Sequence, residues 1–476
     1  MKSTKVYQLL NELSKKEVKA FKKFLNSPYF NTTDAMIDLA EVIFTLISTD
    51  DDLTKEEVWH AIGENRQYGN TRFRKYCSDL SKLVERFLAQ HEYDGNPLRS
   101  AAYLLRTVSS RRLENLYNSS LKTARRLSNV ENEKGIDFLY DAYQIERYHQ
   151  VILEAGNRTQ RLNVESILKT LDKFYIAQKL WSYMTAMSQK RIVNLEYDLL
   201  FIDEILDHIE ENPYPDTPQI RILYLVAKLY QSNDSQYFPE LKSLLIEHIN
   251  LFPASEYNII FRSTLNFLIG WANEGKKEFL RPLFELYRYA INEEFFFLEG
   301  GFNPWIFKTI VHVALRLEEF IWCQEFIEEY ARRLPQESRE NAMQFNMARL
   351  HWYQKNHDEV ISLLNQVEFD DFSYNLSSKA MLLATYYEID EVEVLFSFLE
   401  SFNAFLKRNT AKLPEKRREN YLNLIKYTRI LSKLTRRDKE KLQLLKEEIN
   451  NKANLGDKRW LLEKVDAKLG LAQRKA

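Results

Sequence analysis

The chain has 476 residues, 45% of them apolar, and a net charge of −1, a length too great for one compact core and a composition that argues against disorder. Its 11 Gly and 11 Pro are roughly a third and a half of ordinary usage, which removes the residues that β-turns, glycine-rich phosphate loops and strained nucleophile elbows need. An all-α fold is expected, and the two distant cysteines, Cys77 and Cys323, suit a reducing compartment better than a disulfide framework.

The opening MKSTKVYQLLNELSKKEVKAF lacks the continuous apolar stretch of a signal peptide, and no apolar run approaches the roughly 20 residues of a membrane span. The expected protein is soluble and cytoplasmic. Ser14 with Glu17 and Thr54 with Glu57 form capping boxes ahead of apolar residues at steps of three and four. Helices are therefore expected near 4–13, 15–26, 32–48, 54–62 and 70–91, closed by the loop HEYDGNP. In the connector SPYFN, Pro28 stops a helix, and Tyr29 and Phe30 are expected to plug the space between helices.

Long amphipathic helices follow, including GIDFLYDAYQIERYHQVILEA and NVESILKTLDKFYIAQKLWSYMTAMSQK. ENPYPDTP, residues 211–218, reads as a boundary, while Thr217-Pro218 and Asn303-Pro304 each place a capping residue before a proline at the first helical position. Beyond it, five lines align on a small residue: Ala227, Gly270, Ala314, Ala348 and Ala384, at separations of 43, 44, 34 and 36. Each leads into a second amphipathic run. A small residue there lets two helices approach closely, and the spacing and pattern resemble tetratricopeptide repeats, although Asn273, Leu317 and His351 stand where Tyr230 and Tyr387 stand in the best copies.

The stretches FKKFLNSPYFN, LPQESRENAMQFNMARL, MLLATYYEIDEVEVLFSFLESF and RWLLEKV resemble a family of uncharacterised bacterial helical-repeat proteins over nearly the whole chain. That resemblance implies a fold and no activity. The expected architecture is an α-solenoid of tetratricopeptide-like hairpins: an N-terminal helical unit over 1–95, long amphipathic helices over 96–212, repeats over 213–409 and a basic helical cap over 410–476.

Charge is unevenly spread. Residues 1–130 carry +5, residues 131–406 carry −18 and residues 407–476 carry +12. The basic C-terminal helices, with Arg417, Arg418, Arg436 and Arg437, offer a patch for nucleic acid or an acidic protein surface, or a polar terminal cap for the solenoid. No GxxxxGK[ST], GxGxxG, HExxH, CxxC or GxSxG occurs, so nucleotide, zinc and nucleophile readings lose their anchors, and no catalytic residue, cofactor or metal site is expected. His351 and His357 lack a third ligand nearby in sequence.

The expected function is non-enzymatic: a scaffold or adaptor that binds another protein or a peptide on the solenoid's inner face. In the tetratricopeptide register, residues one, four and five places after the small residue face inward. That selects Lys228, Trp271, Arg349, Trp352 and Tyr353, of types that carry binding energy at interfaces. The alternative is a nucleic-acid-associated regulator in which LTKEEVWHAI and GNTRFRKYCSDLSKLVERFL form a helix-turn-helix, with Arg72, Arg74 and Lys75 opening the second helix.

Overall fold

The computed structural model describes residues 1–63, 67–129, 135–155, 159, 161–193, 195–248, 251–297, 302–365, 372–410 and 413–470. The fold is all-α, without a strand among the described residues. The chain divides into two compact units, Met1–Ile260 and Phe261–Ala476.

The first unit opens with α1 (Lys5–Asn11), α2 (Lys15–Leu25), α3 (Asp34–Thr49), α4 (Lys55–Ala61) and α5 (Asn70–Gly95). Both capping boxes form: the Glu17 carboxylate accepts the Ser14 N–H at 2.8 Å, and the Glu57 carboxylate accepts the Thr54 N–H at 2.7 Å. Phe21, Phe24 and Phe87 pack with ring centroids 5.2–6.3 Å apart, beside Trp59 and Phe73. Phe30 stacks on Phe24 at 4.1 Å and so plugs the core. Tyr29 does not. It stays 80% exposed, with the Arg86 guanidinium over both rings. Nor does α5 stop at 91: it runs through Gly95, and Asn96 then caps α6 by accepting the Arg99 N–H at 2.9 Å.

Next come α6 (Pro97–Ser110), α7 (Glu114–Ser128), α8 (Ile136–Ala155), α9 (Val164–Val193), α10 (Ile202–Glu211), α11 (Pro218–Ser232), α12 (Phe238–Glu247) and the start of α13 (Ala254–Asn273). Pro218 takes the first position of α11, but the Thr217 hydroxyl donates to Asp216 at 3.1 Å instead of capping the helix. Asn303 does cap, accepting the Trp305 N–H at 2.8 Å.

The second unit contains the rest of α13, then α14 (Leu280–Asn292), α15 (Pro304–Arg316), α16 (Phe320–Tyr330), α17 (Gln336–Tyr353), α18 (His357–Asn365), α19 (Phe372–Glu388), α20 (Val392–Arg408), α21 (Glu415–Lys433), α22 (Lys439–Asn451) and α23 (Lys458–Leu469). Consecutive helices from α14 through α21 pack on one another. Alternate helices also meet: α15 on α17, α17 on α19, α19 on α21, and α21 on α23. The basic C-terminal helices share one apolar core with α19 and α20, in which Leu383, Leu399, Leu431, Leu442 and Leu461 are fully buried.

The aligned small residues do not all serve close packing. Ala314 and Ala348 are fully buried and Ala384 nearly so, whereas a Cβ built on Gly270 meets no atom within 4 Å. Ala348→Leu should therefore force overpacking and lower stability by about 1–3 kcal/mol, while Gly270→Ala should raise it by about 0.5–1 kcal/mol by removing helix-interior glycine. Chemical denaturation of the two variants checks both signs.

Candidate functional site

α15 reads PWIFKTIVHVALR. Phe307, Ile310, Val311, Val313, Ala314 and Leu315 are buried, because α14, α16 and α17 all pack on this helix. The remaining face carries Lys308, His312 and Arg316 at steps of four, one above another along the helix. All three line an open cavity of about 880 Å³ within the second unit.

Each alternate helix adds to the wall. α17 contributes Phe345, Arg349, Trp352 and Tyr353; α19 contributes Ser377, Ala380, Met381 and Ala384; α21 contributes Arg417, Asn420 and Tyr421. The turn into α23 and its first residues add Asp457, Arg459, Trp460 and Glu463. Lys277, Lys308, Arg316, Arg349, Arg417 and Arg459 thus face a cavity with three carboxylates, those of Glu318, Asp457 and Glu463. Cations exceed anions by three.

Packing positions these cations. The Lys308 ammonium sits 4.6 Å from the Phe345 ring centroid, 5.2 Å from that of Tyr374 and 5.6 Å from that of Trp305, and donates to the Ser377 hydroxyl at 3.0 Å. Burial pushes the pKa of the Tyr421 hydroxyl up, and the neighbouring Arg417 charge opposes the shift. Arg316 donates to the Ala272 carbonyl at 3.2 Å. Arg459 pairs with Glu463 on its own helix at 2.8 Å. Arg349 lies 6.0 Å from the Phe345 ring and makes no hydrogen bond or close ion pair among the described residues. Burial pulls its pKa below the ordinary arginine value; Tyr353 and Asp457 oppose the shift through space. Asp457 is reciprocally pushed up by desolvation and pulled down by Arg349.

His312 stands in this cluster as a neutral ring. Burial, then Arg349, Arg316 and Lys308, lower its pKa to about 3, and its Nδ1 is buried without a hydrogen-bond partner.

The residues singled out from sequence fall in different places. Arg349, Trp352 and Tyr353 line the cavity. Trp271 is 1% exposed and packs between Phe267 and Phe279, with centroids at 6.0 and 4.7 Å. Lys228 belongs to the first unit, where its ammonium lies 3.4 Å from Glu210 and over the rings of Tyr224 and Tyr237. Arg417 faces the cavity and Arg418 is half-buried beside it in sequence, whereas Arg436 and Arg437 are exposed in the turn after α21. The two pairs occupy opposite ends of a helix roughly 28 Å long.

Lys308, His312 and Arg316 escaped the sequence reading. Their signal was the lysine, histidine and arginine at steps of four in an otherwise apolar helix.

In the first unit, Arg72 stacks over Trp59 and Tyr76 at 5.6 and 5.8 Å. Residues 62–69 separate α4 from α5, against the three or four of a helix-turn-helix connection. Among the described residues, no helix is long and apolar enough to cross a membrane, and no three His, Cys, Asp or Glu side chains gather as metal ligands. Burial pushes the Cys77 thiol up to about 11 and that of Cys323 up to about 12, so both stay protonated at neutral pH. Comparison with known proteins finds no matching family model, no matching curated protein and no matching solved structure.

A histidine whose folded pKa is depressed contributes stability that is present above its unfolded value, near 6.5, and lost as pH falls towards 3. The His312 ring resonances should hold at their neutral positions from pH 8 to pH 5 in NMR titration. His312→Gln should flatten the loss of stability between pH 6.5 and pH 4.

Proposed function

We propose that this chain is a non-enzymatic binding protein, a scaffold or adaptor that holds an acidic segment of a partner protein in the second unit's cavity. The observation that carries this reading is the excess of cations over carboxylates in one concave site walled by α15, α17, α19, α21 and α23. Like charges held together in a cavity raise its potential and draw in the opposite charge. Aromatic walls supplied by Trp352, Tyr353 and Tyr421 add contact area of the kind that dominates interface energetics. The alternating contacts of these helices support a tetratricopeptide-like solenoid whose first helices form the inner face. Cytoplasmic residence fits a partner of this kind and is part of the proposal.

A nucleic-acid partner has less support. Arg72 is engaged with aromatic rings, and Arg417 is separated from Arg436 and Arg437 by the length of α21.

Fluorescence anisotropy with fluorescein-labelled hexaglutamate tests the proposal on the full chain. The Arg349→Ala, Trp352→Ala, Tyr353→Ala triple variant should weaken binding at least tenfold, given about 2 kcal/mol for each true hot spot. Arg436→Glu with Arg437→Glu should leave it unchanged. Tighter binding of a labelled single-stranded RNA, lost on the latter pair and indifferent to the former three, would transfer the proposal to nucleic acid.

A further inference from the structure

We propose that the cationic part of the cavity lining, with Lys308, Arg316, Arg349 and Arg417, is a subsite for a phosphomonoester carried on a short segment of the partner protein. This rests on the reading of the cavity as an acidic-segment site and specifies the group it takes.

The argument is one of charge density, geometry and access. Three surplus positive charges in about 880 Å³ exceed what one carboxylate can offset. A phosphomonoester brings a charge of about −1.5 to −2 and three acceptor oxygens at a single point. Three of the four proposed cations are arginines, whose planar forks match phosphate oxygens in pairs. Arg349 is the most available of them, having neither a hydrogen bond nor a close ion pair among the described residues. Lys308 is held at the wall by three aromatic rings, whose electron-rich faces attract its ammonium.

The turn into α23 brings a helix amino terminus to the cavity together with the Asp457 carboxylate. Asp457 and Gly456, at the start of that helix, both line the cavity, so the amino-terminal end of a 12-residue helix borders it. Gly456 is held there by its N–H donating to the Asn420 carbonyl at 3.1 Å. The same surroundings weigh against a long polyanion. Glu318 and Glu463 also border the cavity, so a single dianion suits its cationic wall better than a long run of phosphates.

The proposal is tested on the full chain by isothermal titration calorimetry at pH 7.5. The probes are the peptide Ac-Ala-Ala-phosphoserine-Ala-Ala-NH2, the same peptide with Glu in place of phosphoserine, and adenosine monophosphate. The phosphopeptide should bind at least tenfold more tightly than both others. Arg349→Met should remove at least tenfold of that affinity, while Arg436→Glu with Arg437→Glu should change nothing. If Arg349→Met proves unfolded by circular dichroism, Arg417→Gln takes its place with the same expectation. Equal binding of the Glu and phosphoserine peptides would overturn the phosphate subsite and leave the acidic-segment reading standing. Binding of adenosine monophosphate as tightly as the phosphopeptide would overturn the protein source of the phosphate. Failure of the phosphopeptide alongside retained hexaglutamate binding would overturn this inference alone, and failure of both would overturn it together with the reading beneath it.

Discussion

The cavity of the second unit follows from α15 having to bury the faces it turns to three neighbouring helices. A helix flanked by one neighbour needs one apolar stripe; α15 is flanked by α14, α16 and α17 and carries a wide apolar face. Polar side chains can then occupy only the face that remains, and Lys308, His312 and Arg316 stand on it together. The same constraint fixes their separation at one helical turn. Charges that would repel one another on a flexible chain are thus held side by side by the packing behind them.

The cost of that arrangement is met locally and in part. Lys308 is balanced by aromatic faces, whose electron-rich surfaces attract a cation without cancelling its charge. Arg316 uses a backbone carbonyl, which satisfies a donor while leaving the charge intact. His312 solves the problem differently: being titratable, it gives up its proton, where an arginine cannot. Arg349 and Asp457 act on each other only through space. The lysine and arginine devices hold cations at the cavity wall, in contrast with Arg459 and Glu463, which close on each other along one helix.

The helical character of the chain was legible because it is local. Scarce glycine and proline, two capping boxes and apolar steps of three and four are read from neighbouring residues, and Ser14, Glu17, Thr54 and Glu57 do what their spacing implies. Ends decided by tertiary packing were less legible: α5 continues to Gly95, and Tyr29 lies outside the core that Phe30 enters. The cavity was partly legible. Counting places from the small residue reached Arg349, Trp352 and Tyr353 on α17, but on α15 the cavity-facing cations precede or follow Ala314 by six and two places, and on α19 Ala384 itself lines the wall. The face turned towards the cavity therefore rotates from one copy to the next, and a fixed offset from one copy cannot locate it in another.

That rotation also bears on what kind of surface the cavity is. In a regular array each copy presents the same register positions, giving a long groove of repeated chemistry. Here α15 presents cations, α17 aromatic rings with one arginine, α19 small residues with Ser377, and α21 an arginine beside Tyr421. The wall changes character at every helix, so its chemistry does not repeat from one copy to the next. On the proposed reading, such a wall suits a compact, highly charged group with a short flanking segment, which can meet cations and aromatic rings together.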